Sequence, residues 1–200
     1  MEIKRKPYEG FWERGVHPDF MSGKEQWNHP TRLRLFEEAR KAGNSVLDVA
    51  CDSCVDYHRF RDAGMSYTGI DITPRFIARV KELYPGIDAR VGTAYDLPFP
   101  DGSYDSVYCR ALLEHLPPPG ENPPIGYKQV LNEMWRVARK LMMVIFYIPT
   151  NNRPQNYNYT HAGHYEQAYN TQELTNFIKN LKGFKGLEIQ LIRLVWLVRK

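Results

Sequence analysis

Short apolar runs alternate with helix-length amphipathic segments from about residue 45 of this 200-residue chain. The apolar runs predict strands at residues 45–50, 67–71, 89–92, 104–109 and 141–148. Thr73 and Pro74 are typical of a helix start, and apolar residues at helical spacing predict helices there and at 127–137. Strands separated by helices indicate βαβ units. We therefore expect a single α/β domain with a mostly parallel sheet and helices on both faces.

Three stretches depart from this alternation. Residues 1–28 are rich in aromatic side chains and predict an irregular arm, so that an arm and a helix occupy residues 1–44 ahead of a core at 45–200. Residues 149–169 predict a long loop, and loops of that length in compact domains are often active-site loops or lids. Residues 186–200 are expected to supply the last, antiparallel strands. Residues 192–193 are the candidate turn there, and one long strand is the alternative.

The composition is that of an ordinary globular domain, with 42% apolar and 25% charged residues. The net charge of +4 is spread along the chain, which favours a solvated basic surface over a nucleic-acid-binding face. The chain contains no apolar run of about 18 residues and does not begin with a secretion signal, so we expect no membrane span and a cytoplasmic location. Three cysteines, an odd number, do not suggest a disulfide framework.

Two carboxylates stand at predicted strand ends. In an open α/β sheet, ligands bind beyond the carboxyl ends of the strands. Asp48 lies in the first strand, and Asp71 ends the second strand about 20 residues later, where a carboxylate can accept hydrogen bonds from both hydroxyls of a ribose. Dinucleotide-binding folds share this spacing, so it does not by itself identify the cofactor.

Four strings narrow the choice. They are VLDVAC at 46–51, TGIDI at 68–72, LPFPDGSYD at 97–105 and LLEHLP at 112–117. In this order and spacing they resemble class I S-adenosylmethionine-dependent methyltransferases, most closely the small-molecule branch that includes ubiquinone-biosynthesis methyltransferases. The resemblance covers residues 45–148. It implies a Rossmann-like seven-stranded sheet, S-adenosylmethionine as cofactor and S-adenosylhomocysteine as product.

The resemblance also implies the cofactor site. Asp71 would hold the ribose hydroxyls, and Ile72 would pack on the adenine. The remaining residues would be Asp48 supporting the first loop, Ala50 and Cys51 along the methionine part, Asp52 near the methionine charges, Thr93 and Ala94 at the adenine, and the backbone of Arg110 near the methionine amine.

The first loop departs from the family pattern. The usual Asp-x-Gly-x-Gly-x-Gly is replaced by residues 48–54 with Ala50, Asp52 and Cys54 at the glycine positions. Those glycines allow a tight turn and a close approach of backbone to ligand. The Asp52 carboxylate either repels the cofactor's carboxylate or meets its amine, and Thr93 replaces the acid that usually accepts from the adenine. A repurposed protein of the same fold is the alternative.

Cys51 and Cys54 form a C-x-x-C at a strand-to-helix turn, the position of the redox pair in thioredoxin-like proteins. Cys109 ends a strand expected to neighbour the first one. One interpretation is a redox-active thiol site or a metal site. The favoured one is that these cysteines are small packing residues, so no metal is expected.

Methyl transfer requires mainly that donor and acceptor are held close together and that water is excluded. A base is needed when the acceptor arrives protonated, and His115, His161 and His164 are the candidates. The alternative for His115 is that it caps local backbone groups. We expect a small-molecule acceptor. An RNA substrate and a non-catalytic binding role are the other possibilities, and the sequence does not indicate an oligomeric state.

Overall fold

The computed structural model describes residues 30–117, 126–154, 158–160, 164–190 and 195–200. The expected aromatic arm at 1–28, the candidate turn at 192–193 and the candidate base His161 lie outside the described residues. Within the described part, no helix is long and apolar enough to cross a membrane.

A seven-stranded sheet organises the described chain. The strands are β1 (Ser45–Val49), β2 (Ser66–Asp71), β3 (Asp88–Val91), β4 (Tyr104–Arg110), β5 (Ala138–Ile145), β6 (Asn158–Tyr159), β7 (Tyr165–Glu166), β8 (Gly186–Gln190) and β9 (Val195–Arg199). The sheet order is β3-β2-β1-β4-β5-β9-β8, and β6 and β7 form a separate hairpin. The strands β1 to β5 pair in parallel, whereas β9 is antiparallel to both β5 and β8. The predicted fold class is therefore confirmed.

Helices cover both faces of this sheet. They are α1 (Pro30–Ala42), α2 (Tyr57–Asp62), α3 (Pro74–Leu83), α4 (Gly126–Val137) and α5 (Thr171–Lys179), with a short 3₁₀ turn at Leu113–His115. Consecutive strand residues point to opposite faces, so Val46 packs with the α1, α2 and α3 side and Leu47 with the α4 and α5 side. Both are fully buried, as is typical of a sheet covered on both faces.

The LPFPDGSYD string forms a turn that is fixed from α4. Arg136 donates hydrogen bonds to the carbonyls of Phe99 at 2.7 Å and Leu97 at 2.9 Å. Glu133 accepts from the backbone N–H of Leu97 at 2.9 Å and is itself bonded to Arg136. These contacts fix the chain between β3 and β4. They involve the string that carries much of the family resemblance.

Two stretches differ from the sequence-based expectation. The fifth strand covers Ala138–Ile145 instead of 141–148. The predicted loop at 149–169, which we call the strap, contains the β6–β7 hairpin and is joined to the start of α5 by a bridge between Asn151 and Asn170. The C-terminal segment forms the expected antiparallel strands, β8 and β9, and not the one long strand of the alternative.

Gly69 in β2 faces the two cysteines of the first loop. A Cβ atom at Gly69 would lie 2.9 Å from the Cys51 sulfur and 3.0 Å from the Cys54 sulfur. The first distance is shorter than real Cβ contacts and the second is shorter than most of them, so a side chain at this position requires the sulfurs or the loop to move.

We expect Gly69→Ala to lower the free energy of unfolding by about 1–3 kcal/mol, the usual cost of overpacking a core. Urea denaturation measures this. Gly186→Ala at the start of β8 is the matched control, because nothing lies within 4 Å of its added Cβ. Equal effects of the two changes would mean that the sulfurs move aside without cost.

Candidate functional site

The carboxyl ends of the parallel strands form the edge where a ligand is expected, and apolar side chains are exposed there. Ile72, directly after β2, is 65% exposed, and Val91, the last residue of β3, is 52% exposed. Tyr147, two residues after β5, is 74% exposed. Large apolar side chains left in water along one edge are typical of a ligand-binding groove.

The first loop, residues 50–54, begins by turning back over the end of β2. The backbone N–H groups of Ala50 and Cys51 both donate to the carbonyl oxygen of Ile70, at 2.8 and 3.1 Å. The N–H of Asp52 donates to the Oδ2 atom of Asp71 at 3.0 Å. The loop is thus attached to the strand that carries the candidate ribose carboxylate.

The backbone of the first loop has positive φ at each family glycine position. The φ angles are 62° at Ala50, 47° at Asp52 and 49° at Cys54. A left-handed conformation costs a residue with a side chain roughly 1–2 kcal/mol, and aspartate tolerates it better than most. The loop therefore keeps the backbone path that the missing glycines would favour, at a cost in strain.

Asp71 is 7% exposed, and both of its carboxylate oxygens are used inside the protein. Oδ2 accepts from the N–H of Asp52, and Oδ1 accepts from the N–H of Thr73 at 2.8 Å. Burial raises the pKa of Asp71 above its usual range. Each oxygen of a carboxylate can accept two hydrogen bonds, so these contacts leave acceptor capacity for a diol.

Asp48 lies below the loop and not along it. Its Oδ2 accepts hydrogen bonds from the hydroxyls of Tyr67 at 2.6 Å and Tyr108 at 2.5 Å. Burial raises the pKa of Asp48 to about 7. The side chain points to the face that α1, α2 and α3 cover, where Arg32 and Asp56 form a buried ion pair at 2.9 Å. Asp48 thus lies on the same side of the sheet as the loop cysteines, and its charge contributes to the raised pKa of Cys51.

The adenine-side candidates occupy the chain after β3. Thr93 and Ala94 are half-buried, and the Thr93 hydroxyl accepts from the N–H of Tyr95 at 3.2 Å. Arg110 is the last residue of β4, and the next residue, Ala111, has a φ of 51° and donates to the carbonyl of Ile145 at 2.8 Å. The left-handed residue at 111 turns the chain sharply at the end of β4, next to the first loop.

Two of the candidate bases lie together. His115 ends the 3₁₀ turn, and its Nδ1 atom is 2.8 Å from the carbonyl oxygen of Tyr165 in the strap. Because a carbonyl only accepts, Nδ1 carries the proton and Nε2 of the neutral ring is the basic nitrogen. Burial lowers the pKa of His115. The His164 ring is 5.3 Å from the His115 ring, and its Nδ1 atom is 3.1 Å from the hydroxyl of Thr160.

Residues that the sequence did not single out join the 3₁₀ turn to the strap. Glu114 is fully buried and accepts from the N–H groups of Tyr147 and Ile148 through one oxygen. Burial raises the pKa of Glu114 to about 7. Gln167 and Tyr169 both donate to the carbonyl of Leu113. An acid within an otherwise apolar string was the one sequence signal for Glu114, and the two strap residues had none.

Cavities are found in two other parts of the fold. One of about 310 Å³ is lined by strap residues, among them Asn151 and Gln167, and by Ile148 after β5. Another, of about 440 Å³, lies between α1 and α2, lined by Phe36 and Arg59 among others. Neither cavity is lined by Asp71 or by the candidate bases His115 and His164.

Comparison with protein families indicates the chemistry carried out at this edge of the sheet. A family model described as "Methyltransferase domain" matches residues 47–146, half of the chain. The chain belongs to this methyltransferase family. The match runs from β1 to one residue past β5, so it includes the first loop, Asp71 and His115 and ends before the strap.

Curated relatives match the same region. The "Probable S-adenosylmethionine-dependent methyltransferase" of Mycolicibacterium smegmatis is 31% identical over 114 residues, which are 57% of this chain and 40% of that protein. A ubiquinone biosynthesis O-methyltransferase of Pseudomonas paraeruginosa is 36% identical over 97 residues, covering 46% of this chain and 42% of its own length. The chain thus spans about 40% of the length of these relatives.

Solved structures match over most of their length. The PH0226 protein of Pyrococcus horikoshii superposes with a TM-score of 0.69 at 19% identity, covering 94% of this chain and 96% of that one. The 1,6-didemethyltoxoflavin-N1-methyltransferase of Burkholderia thailandensis, solved with S-adenosylhomocysteine, gives a TM-score of 0.65 at 16% identity, covering 100% of this chain and 91% of its own. At these identities the likeness concerns the fold.

The strain in the first loop can be measured at Ala50. We expect Ala50→Gly to raise the free energy of unfolding by up to about 1 kcal/mol, since the relief of positive φ exceeds the added entropy of the unfolded chain. Ala63→Gly is the control. Its φ is −86°, so glycine there should be destabilising. Urea unfolding of both variants checks the difference, and a lower stability of Ala50→Gly would contradict the assigned strain.

Proposed function

We propose that this protein transfers a methyl group from S-adenosylmethionine to a small-molecule acceptor. The observation that carries the proposal is the first loop. It keeps three left-handed residues at the family's glycine positions and is bonded to Asp71 at the end of β2. The activity as a whole is a proposal, because the chain spans only about 40% of the length of its curated relatives.

The residues at the edge fit the cofactor. Asp71 offers carboxylate oxygens that still have acceptor capacity for the two ribose hydroxyls. Ile72 offers an exposed apolar surface beside them for a flat base. Asp52 would meet the ammonium group of the methionine part, and the backbone around Ala50 and Arg110 would line the rest. This donor set matches the chemistry of a nucleoside joined to an amino acid.

When bound, the cofactor supplies an activated methyl group on a positively charged sulfur. The protein then has to orient the acceptor, exclude water and remove a proton where the acceptor needs it. His115 is suited to the last task, because Tyr165 fixes its Nδ1–H and its lowered pKa keeps the ring neutral at pH 7. The strap, through Gln167 and Tyr169, would cover the acceptor side.

A small acceptor is supported by the names of similar proteins. The curated relatives include a ubiquinone biosynthesis O-methyltransferase, and the structures of the same fold include a 1,6-didemethyltoxoflavin-N1-methyltransferase and the sugar N-methyltransferase KedS8. A nucleic-acid acceptor has no comparable support.

Asp52 favours a second candidate, a binding protein of the same fold that does not transfer methyl groups. A carboxylate in place of glycine takes up space in the loop, and if it faced the carboxylate of the methionine part instead of the ammonium group it would repel the ligand. One of the structures with this fold is described as a [4+2]-cyclase, SpnF, so the fold alone does not fix the chemistry. Cofactor binding distinguishes the two candidates.

S-adenosylhomocysteine should bind the folded protein and raise its melting temperature, since a ligand that binds only the native state stabilises it. Calorimetry gives the affinity directly. Asp71→Asn should weaken binding by 10-fold or more, because an amide offers one acceptor oxygen where the diol needs two. Asp62→Asn is the control, since Asp62 is exposed and bonded to Arg61.

No binding at millimolar S-adenosylhomocysteine would favour the non-catalytic candidate. Unchanged affinity in Asp71→Asn would mean that the ribose site is elsewhere. When binding is established, transfer of labelled methyl groups to a panel of small hydroxyl and amine compounds tests the catalytic half of the proposal.

The protonation of His115 can be measured without an acceptor. We expect its imidazole to titrate below 6.5 and to carry the proton on Nδ1 when neutral, because burial opposes the charge and Tyr165 accepts from Nδ1. Nitrogen-15 NMR of labelled histidines gives both quantities. His115→Asn assigns the signal, and His58→Asn on α2 is the control. A ring protonated on Nε2, or one that is charged at pH 7, would rule out the base role.

A further inference from the structure

Cys51 and Cys54 pack in the core beneath the first loop and are also joined by a backbone turn. The N–H of Cys54 donates to the carbonyl of Cys51 at 2.7 Å, which closes a turn with the two cysteines at its ends. Both side chains are buried, Cys51 at 6% exposure and Cys54 at 0%. Their sulfurs converge on one point, the space beside Gly69 in β2.

This geometry is suitable for a disulfide. The first and fourth residues of a turn have Cα atoms within about 7 Å, and disulfides join residues whose Cα atoms are about 4.4–6.8 Å apart. The two sulfurs lie 2.9 and 3.0 Å from the Cβ position of Gly69, on the same side of their backbone. The Cys51 thiol is also near enough to Cys54 for that neighbour to raise its pKa. Closing the bond therefore requires a small movement within the loop.

The third cysteine is separate from this pair. Cys109 in β4 packs in the core on the α4 and α5 side, whereas Cys51 and Cys54 pack on the other side of the sheet. A metal centre is not indicated either. In the part of the chain that the structure describes, no group of three or more His, Cys, Asp or Glu side chains is placed to hold an ion.

We propose that Cys51 and Cys54 are a reversible dithiol–disulfide couple that lowers the cofactor affinity of the first loop when oxidised. Each thiol gives up its hydrogen, and a sulfur–sulfur bond forms between them. A small disulfide such as oxidised glutathione takes up the two electrons and two protons and is cleaved into two thiols. The effect on cofactor rests on the proposed function, whereas the couple itself does not.

The link to the cofactor passes through Asp52, which lies between the two cysteines. Its N–H is bonded to the Asp71 carboxylate, and its φ of 47° is already strained. A disulfide brings the sulfurs to about 2.05 Å, so residues 51–54 must shift. Movement of Asp52 changes the contact with Asp71 and the space for the methionine part. We expect a loss of about 10-fold in affinity for S-adenosylhomocysteine.

The couple should exchange slowly at neutral pH. The neighbouring Cys54 and burial hold the pKa of the Cys51 thiol well above its usual range, so little thiolate is present at pH 7. Because the thiolate fraction rises about tenfold per pH unit below the pKa, oxidation by a small disulfide should be up to about 100-fold faster at pH 9 than at pH 7.

The test equilibrates the intact, folded protein in glutathione buffers of graded redox ratio, with alkylation of the remaining thiols and mass analysis. Oxidation should remove two alkylation sites and about 2 Da from the protein, and peptide mapping should join residues 51 and 54. Cys109→Ser should behave like the parent chain, whereas Cys54→Ser should form no internal disulfide, so that its Cys51 either remains a thiol or carries one glutathione as a mixed disulfide. Reduction with dithiothreitol should restore the original mass.

Three outcomes decide the matter. Three alkylatable thiols in fully oxidised glutathione at pH 9, in the unsubstituted chain, would overturn the couple. A disulfide that leaves the affinity for S-adenosylhomocysteine unchanged would overturn its control of the loop. A disulfide in a chain whose reduced form also fails to bind S-adenosylhomocysteine would overturn the control and the proposed function together, while the couple itself would be supported.

Discussion

The course of the chain after β1 is the constraint on which the site depends. Two successive N–H groups, at Ala50 and Cys51, donate to the single carbonyl of Ile70, so the chain must turn back over β2. That turn requires positive φ at alternate residues whether or not they are glycine. It also decides what the side chains meet. Asp52 is brought to Asp71, and the two cysteine sulfurs are brought to Gly69.

Buried carboxylates stabilise this edge by accepting backbone N–H groups from two places at once. Asp71 joins the first loop to the start of α3, and Glu114 joins the 3₁₀ turn to the chain after β5. Each acid thereby satisfies donors that would be costly to leave unpaired in the interior. Positive φ in the loop persists because such contacts, and the sheet beneath, over-determine its conformation.

Hydrophobic periodicity predicted the parallel strands, because a buried strand shows its character within its own residues. It misplaced β5 for reasons that lie outside that strand. Arg139 and Lys140 are polar but belong to β5, where they form ion pairs with Asp105. Tyr147 and Ile148 continue the apolar run but leave the sheet, since Glu114 takes their N–H groups. The hydrogen-bond partners of Asp48 could not be predicted either, because Tyr67 and Tyr108 are 19 and 60 residues away in the sequence.

The loss of glycine in the first loop is therefore less severe than the sequence suggested. Glycine supplies two things at such positions, access to positive φ and the absence of a side chain. The structure retains the first at Ala50, Asp52 and Cys54, so only the space for the ligand is changed. Cys54 directs its side chain into the core and Ala50 adds one methyl group. Cofactor affinity thus depends on one carboxylate, Asp52, whose charge attracts the ammonium group of the methionine part and repels its carboxylate.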